Sequence, residues 1–324
     1  MTQEQQLPRY SDGVTLSLPE MLQYKSQTIR WLPPAKSVWS QMSGQHRSSA
    51  KGRGMNFAEV RLYQAGDDIR AIDWRVTART GKAHTKLFSE EREQPVMLMV
   101  DLSASMQFGS KLLLKSVQAA HFASLLSWIA VGEKDRVGTV ISNGLSLRDC
   151  KPTARQQGPL NVINTLIEAQ QEVQQEHREQ HEKHTFSKAL QHLHHLCPKG
   201  SEIVIISDFQ SLNDNDRLTL SRMRQHNRIQ FVRISDPLER GQTDFRGTEQ
   251  VSDRKQSAWL DFSSARTRSR FSLHFQQHQD FIKDMARALA IPVHSLSAAE
   301  PLLAQLTSGL SNKVATTQTR GKPM

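Results

Sequence analysis

Cysteine is scarce in this chain: its 324 residues include two, Cys150 and Cys197, and neither lies in a C-x-x-C pair. A disulfide framework and a zinc ribbon are therefore excluded. No apolar run approaches the ~20 residues that a membrane helix needs, and the polar start MTQEQQLPRY has no signal-peptide core. The expectation is a cytoplasmic protein without membrane insertion. A Walker lysine motif is also missing, so the chain is not expected to hydrolyse ATP itself. His177, His181 and His184 share helical spacing, with His192, His194 and His195 nearby, but no HExxH pattern accompanies them. That tract reads as a solvated helix or loose insertion rather than a zinc site.

What the chain does contain is enough apolar material for a core, 37% of residues, and a formal charge of +10. The basic residues are interspersed with acids, and no aromatic-basic repeat accompanies them, which argues against nucleic acid as partner. The charge suits an acidic protein partner instead.

The most informative stretch is Pro95 to Gly109, PVMLMVDLSASMQFG. Its apolar run is too continuous for a half-exposed strand and reads as a central strand of a parallel sheet. Ligands of open α/β sheets bind at the loops beyond the carboxyl ends of the strands, and here that loop offers Asp101, Ser103 and Ser105. Hard oxygens at alternate positions suit Mg²⁺ or Mn²⁺. Helix capping by Ser103 is the plainer alternative. A second apolar strand, Glu202 to Ser207, ends in Asp208 in the same way, which capping explains less easily.

These residues resemble the metal-ion-dependent adhesion site of a von Willebrand factor A-type domain, built from Asp-x-Ser-x-Ser, a threonine on a later loop and an aspartate after a later strand. The resemblance assigns Asp101, Ser103 and Ser105 to the first element and Asp208 to the last. For the threonine, Thr185 in HTFSKALQHL is preferred to Thr165, inside an apparent helix, and Thr139, inside an apparent strand. A closer likeness lies in Gly54 to Phe88, through Arg61, Tyr63, Gly66, Asp67, Asp68, Arg70, Asp73, Trp74, Ala78 and Arg79. This ordered string is similar to the signature of the bacterial family called domain of unknown function fifty-eight. The resemblance implies a von Willebrand A-like domain and association with MoxR-type AAA+ ATPases.

The expected architecture is a doubly wound, mostly parallel α/β sheet with an N-terminal accessory arm. Residues 1–42 form a polar tail and short helix, 43–94 the arm, 95–311 the A-like domain and 312–324 a mobile tail. Within the arm, Gly66-Asp67 is expected to turn between two extended pieces, with Ile69, Ile72 and Trp74 as apolar anchors. In the domain, helices are expected from about Lys111 to Val131 and from Gln276 to Ala290. A hairpin is expected across Asp244 to Phe262, with Trp259 and Phe262 packed beneath it.

Three function classes follow. The first is a non-enzymatic, metal-dependent protein-binding module, an adaptor or co-chaperone for the ATPase. The second is a structural scaffold with a vestigial site. The third is a Mg²⁺-dependent phosphohydrolase with Asp101 as nucleophile. That chemistry needs a second acid two residues on, where Ser103 stands.

Overall fold

Alternation decides the central strand. Val96, Leu98 and Val100 join one buried apolar cluster and Met97 and Met99 the other, so β3 (Pro95–Asp101) has no solvent face. A computed structural model describes residues 7–26, 55–90, 94–175, 185–241, 245–252 and 257–306. Beside β3 run β4 (Arg136–Ser142) and β6 (Glu202–Ser207), both parallel to it, in register Val96↔Val137 and Val96↔Glu202. The six-stranded sheet continues through β7 (Arg228–Ser235) to β10 (Val293–Ser297) on one side and to β5 (Leu147–Thr153) on the other. Only β5 is antiparallel, and it occupies an edge.

Helices cover both faces. The helices α3 (Lys115–Gly132) and α4 (Gln157–Gln175) pack on one, with α5 (Phe186–Leu196), α6 (Asp216–His226) and the C-terminal part of α7 (Ala265–Ala288) on the other. This is the doubly wound α/β class. Nearly every position of α3 down to Ala130 is buried, so it lacks a polar stripe.

The N-terminal segment is more than a tail. The helix α1 (residues 18–26) buries Met21 and Tyr24 in the first cluster, and its Glu20 carboxylate meets His121 of α3 at 2.6 Å with both side chains fully buried. Ser17 and Glu20 form a reciprocal capping box at its start, Ser17 N–H donating to Glu20 Oε2 at 3.1 Å. The preceding backbone is fastened too, because Leu114 N–H donates to Gly13 C=O at 2.9 Å.

Two further expectations shift. The helix α3 starts at Lys115, after a bend, and not at Lys111. The helix α7 starts eleven residues before Gln276, at Ala265, because its polar, arginine-rich first turns hide the period that its buried C-terminal half shows. The hairpin is present as β8 (Thr248–Ser252) and β9 (Ser257–Asp261), but its aromatics divide: Phe262 is buried whereas Trp259 is 69% exposed.

The chain divides into two compact units, residues 44–93 and the remainder. In the smaller unit β1 (Met55–Leu62) pairs antiparallel with β2 (His84–Glu90). Between them come a turn with Gly66 at φ +105° and the short helix α2 (Trp74–Thr80), capped by Asp73, which accepts from Arg75 and Val76 N–H. Arg61 pairs with Asp67 at 2.7 Å within the segment. Ile72 is half-buried, and Ile69 and Trp74 are exposed. His177, His181, His184, residues 27–54 and the expected tail at 312–324 lie outside the described residues.

Candidate functional site

Parallel strands end together, so β3, β6 and β7 deliver their following loops to one edge of the sheet. Asp101 closes β3 and Asp208 follows β6, and both are buried. They lie near enough to repel. Asp101 is pushed up to about 6, first by burial and then by the Asp208 charge, against hydrogen bonds from Ser103 and Ser207 that favour its ionised form. Ser103 N–H donates to Asp101 Oδ1 at 2.9 Å and Ser207 Oγ to Oδ2 at 2.6 Å. The Ser103 side chain does not cap the short helical turn that follows, so the capping alternative fails for it. Ser105 sits half-buried inside that turn.

Asp208 has a partner that sequence reasoning missed. Lys115, the first residue of α3, is 1% exposed, and its Nζ lies 2.8 Å from Asp208 Oδ2 and also bonds Glu239 Oε1. Burial works against the ammonium, but Asp208 and Glu239 outweigh it and hold its pKa above the ordinary lysine value. A lysine in the first turn faces the positive end of the helix dipole, an unfavourable place that these two carboxylates offset. Glu239 lies on the loop after β7, and its Oε2 accepts Asp236 N–H at 3.0 Å. Asp236 in turn accepts Ser110 N–H at 2.8 Å, which ties the loop after β7 to the loop after β3.

The remaining Asp208 oxygen, Oδ1, accepts Gln210 N–H at 3.0 Å. Beyond it, Phe209 holds a left-handed backbone at φ +62° with its ring packed on Phe186 and Phe231. His278 donates Nε2–H to Phe209 C=O at 3.0 Å, and its Nδ1 accepts from Arg233 Nη2 at 3.4 Å. Burial, with Arg233 beside it, lowers the pKa of His278 and favours this neutral tautomer. The Arg233 guanidinium stacks 4.2 Å from the Phe275 ring centre.

The threonines sort as follows. Thr185 opens α5 as its N-cap, accepting Lys188 N–H at 3.4 Å, and is exposed, while the next residue, Phe186, reaches the Asp208 loop through Phe209. Thr139 donates to Leu98 C=O at 2.9 Å inside the sheet, and Thr165 to Asn161 C=O at 2.7 Å inside α4. The structure thus gathers Asp101, Ser103 and Asp208 into one network, sets Ser105 on the same turn, and engages Thr185 in a cap.

As a donor set for Mg²⁺ or Mn²⁺ the cluster fits poorly. Asp208 already faces an ammonium, both Asp101 oxygens accept protein donors, and a divalent ion would be repelled by Lys115. Among the described residues, no group of three His, Cys, Asp or Glu is placed to hold a metal. Beside the network opens a cavity of about 600 Å³ lined by Gln210, Glu239, Leu260, Arg270, Phe271 and Phe275. Glu239 belongs to both. Lys115 carried only a weak signal in the sequence, a basic residue where a helix start favours acids. The S-x-x-E box at Ser17 was readable outright.

A doubly wound sheet with one antiparallel edge and an Asp-x-Ser-x-Ser turn at its carboxyl edge is a von Willebrand A-like fold. More particularly, the chain belongs to the family described as protein of unknown function DUF58, whose model matches residues 59–281. Uncharacterised proteins of Mycobacterium tuberculosis and Mycobacterium bovis are 34% identical over 125 residues. That is 39% of this chain and 39% of theirs, so the chain spans well under half the length of these curated relatives.

Among solved structures, the conserved hypothetical protein BatB of Bacteroides thetaiotaomicron matches with a TM-score of 0.43 at 12% identity, over 70% of this chain and 99% of its own. A von Willebrand factor type A protein of Catenulispora acidiphila matches with a TM-score of 0.31 at 12% identity, over 47% and 35%. An aerotolerance-related membrane protein of Bacteroides fragilis scores 0.39 at 12% identity, over 66% and 96%. These likenesses are too distant to transfer residue roles. Among the described residues of this chain, no helix is long and apolar enough to cross a membrane.

Proposed function

We propose that this chain is a non-enzymatic protein-binding module that engages an acidic partner at the carboxyl edge of its sheet. The observation that carries the reading is the cavity of about 600 Å³ at that edge, walled by Glu239 from the ion network and by Arg270 and aromatic residues of α7. A concave, largely apolar site with a few charged groups is how such surfaces select a ligand. The formal charge of +10 favours encounter with an acidic protein. On the family resemblance, that partner is a MoxR-type AAA+ ATPase, and the chain acts as its adaptor or co-chaperone in assembling or remodelling protein complexes. A cytoplasmic location belongs to the same reading. Ser103 stands where a second acid would protonate the leaving alcohol, which argues against a phosphohydrolase.

Affinity capture from native lysate tests the proposal, with wild type and Arg270→Glu side by side. Retention of an AAA+ ATPase by wild type and its loss from the variant supports the reading; equal retention by both would sink the cavity as the docking place. A second reading, the structural scaffold, is favoured by Lys115 itself, which fastens the loops after β6 and β7 to α3. Under that reading neither protein retains a specific partner.

A further inference from the structure

We infer that Lys115 is the built-in cation of this site, doing at Asp208 what a bound divalent ion does in an adhesion site, so that the carboxyl edge is organised without metal. Three observations converge on it. The ammonium is buried, at 1% exposure, and is shared between Asp208 and Glu239. It enters from the first turn of α3, where the helix dipole opposes a positive charge, so its place is explained by the carboxylates and not by the helix. The carboxylate oxygens a metal would use already accept donors from the chain: Ser103 N–H and Ser207 Oγ at Asp101, Gln210 N–H and Lys115 at Asp208.

A tethered monocation differs from a metal in two ways. It cannot be chelated away, and an incoming carboxylate has little access to it, since the ammonium is 1% exposed and two of its three N–H donors are taken by Asp208 and Glu239. Partner recognition therefore moves from the Asp101 turn to the neighbouring cavity. Lys115 acts there at one remove, as a positioning residue: by holding Glu239 it fixes one wall of the cavity and, through Asp236 and Ser110, the loop after β7.

The experiment uses the full chain. Mn²⁺ titrated into wild type, with free Mn²⁺ read by electron paramagnetic resonance, should show no specific site tighter than roughly millimolar, and the melting temperature should agree between EDTA and excess Mg²⁺ to within about 1 °C. Lys115→Met, which keeps the length and removes the charge, should melt about 10 °C lower. The double variant Lys115→Met with Asp208→Asn replaces both charges by neutral groups and should recover much of that loss, which separates charge imbalance from simple misfolding.

One-site Mn²⁺ binding by wild type that disappears in Asp101→Ala would overturn the inference. So would a Lys115→Met protein that melts like wild type. Capture of the acidic partner forms a third arm, and only this arm rests on the binding reading. Capture by wild type should persist in EDTA and weaken at least tenfold in Lys115→Met. Should no partner be captured under any condition, the binding reading fails while the Mn²⁺ and melting results still decide the role of Lys115.

Discussion

One strand carries two buried acids at its opposite ends, and they are handled differently. Glu202 opens β6 and Asp208 follows it, and each is at most 2% exposed. Asp208 meets the ammonium of Lys115 and a backbone N–H. Glu202 shares a hydrogen bond with Gln230, leaves its Oε2 without a partner among the described residues, and is pushed up to about 7 by burial. Arg228 and Arg224 pull the other way without cancelling that effect. The same strand thus ends in a balanced charge where loops converge and in a poorly balanced one where they do not. Burial alone does not decide the state of an acid; what the neighbouring segments bring to it does.

The comparison breaks most sharply at Asp208. Asp208→Ala leaves the Lys115 ammonium buried with Glu239 alone and should cost about 3 kcal/mol, a fall of about 8 °C in melting temperature by calorimetry. A loss under about 2 °C would mean that the pair contributes little. Next comes Ser207→Ala, which removes the donor to Asp101 Oδ2 and the acceptor of Phe209 N–H, with an expected cost of about 1–2 kcal/mol in urea unfolding.

At the other end of β6 the sign reverses. The folded pKa of Glu202, about 7, lies above the ordinary glutamate value of 4.5, so the native state holds a proton that the unfolded chain has released. Its ionisation therefore erodes stability as pH rises between those two values, and above about 7 the penalty is complete. Glu202→Gln should leave the melting temperature nearly unchanged at pH 4 and raise it by several degrees at pH 8. A variant equally stabilised at both pH values would assign the effect to packing. The smallest change is expected at Thr185→Ala, about 0.5–1 kcal/mol for a lost cap, with partner capture unaltered in Mg²⁺ and in EDTA. Loss of Mg²⁺-dependent capture would restore Thr185 to a metal role.

Much of the sheet was readable because its strands are short, apolar and punctuated: PVMLMVD and EIVIIS announce themselves. Asp101 and Asp208 were legible as candidates because ligands of open α/β sheets bind beyond the carboxyl ends of the strands. Lys115 was not, since in KLLLKSV it looks like any basic residue before an apolar helix, and its partners lie 93 and 124 positions away. Long-range pairing of charges leaves no local pattern. The start of α7 was missed for a different reason. ARTRSRFSLHF lies on the exposed part of the helix, where no buried stripe imposes a period. The Glu20–His121 contact joins the N-terminal segment to α3 across 101 positions, so only its capping box was local enough to read.

The distance along the chain between Lys115 and its partners also has a kinetic meaning. A link that closes a loop of 93 residues gains its energy only after the intervening strands and helices are in place, so it belongs to the late side of the folding barrier. Substitutions at Lys115 should therefore leave the refolding rate nearly untouched and accelerate unfolding. Stopped-flow refolding and unfolding limbs would show it directly: the ammonium acts as a latch on the finished sheet, setting how long the protein stays folded and not how fast it gets there.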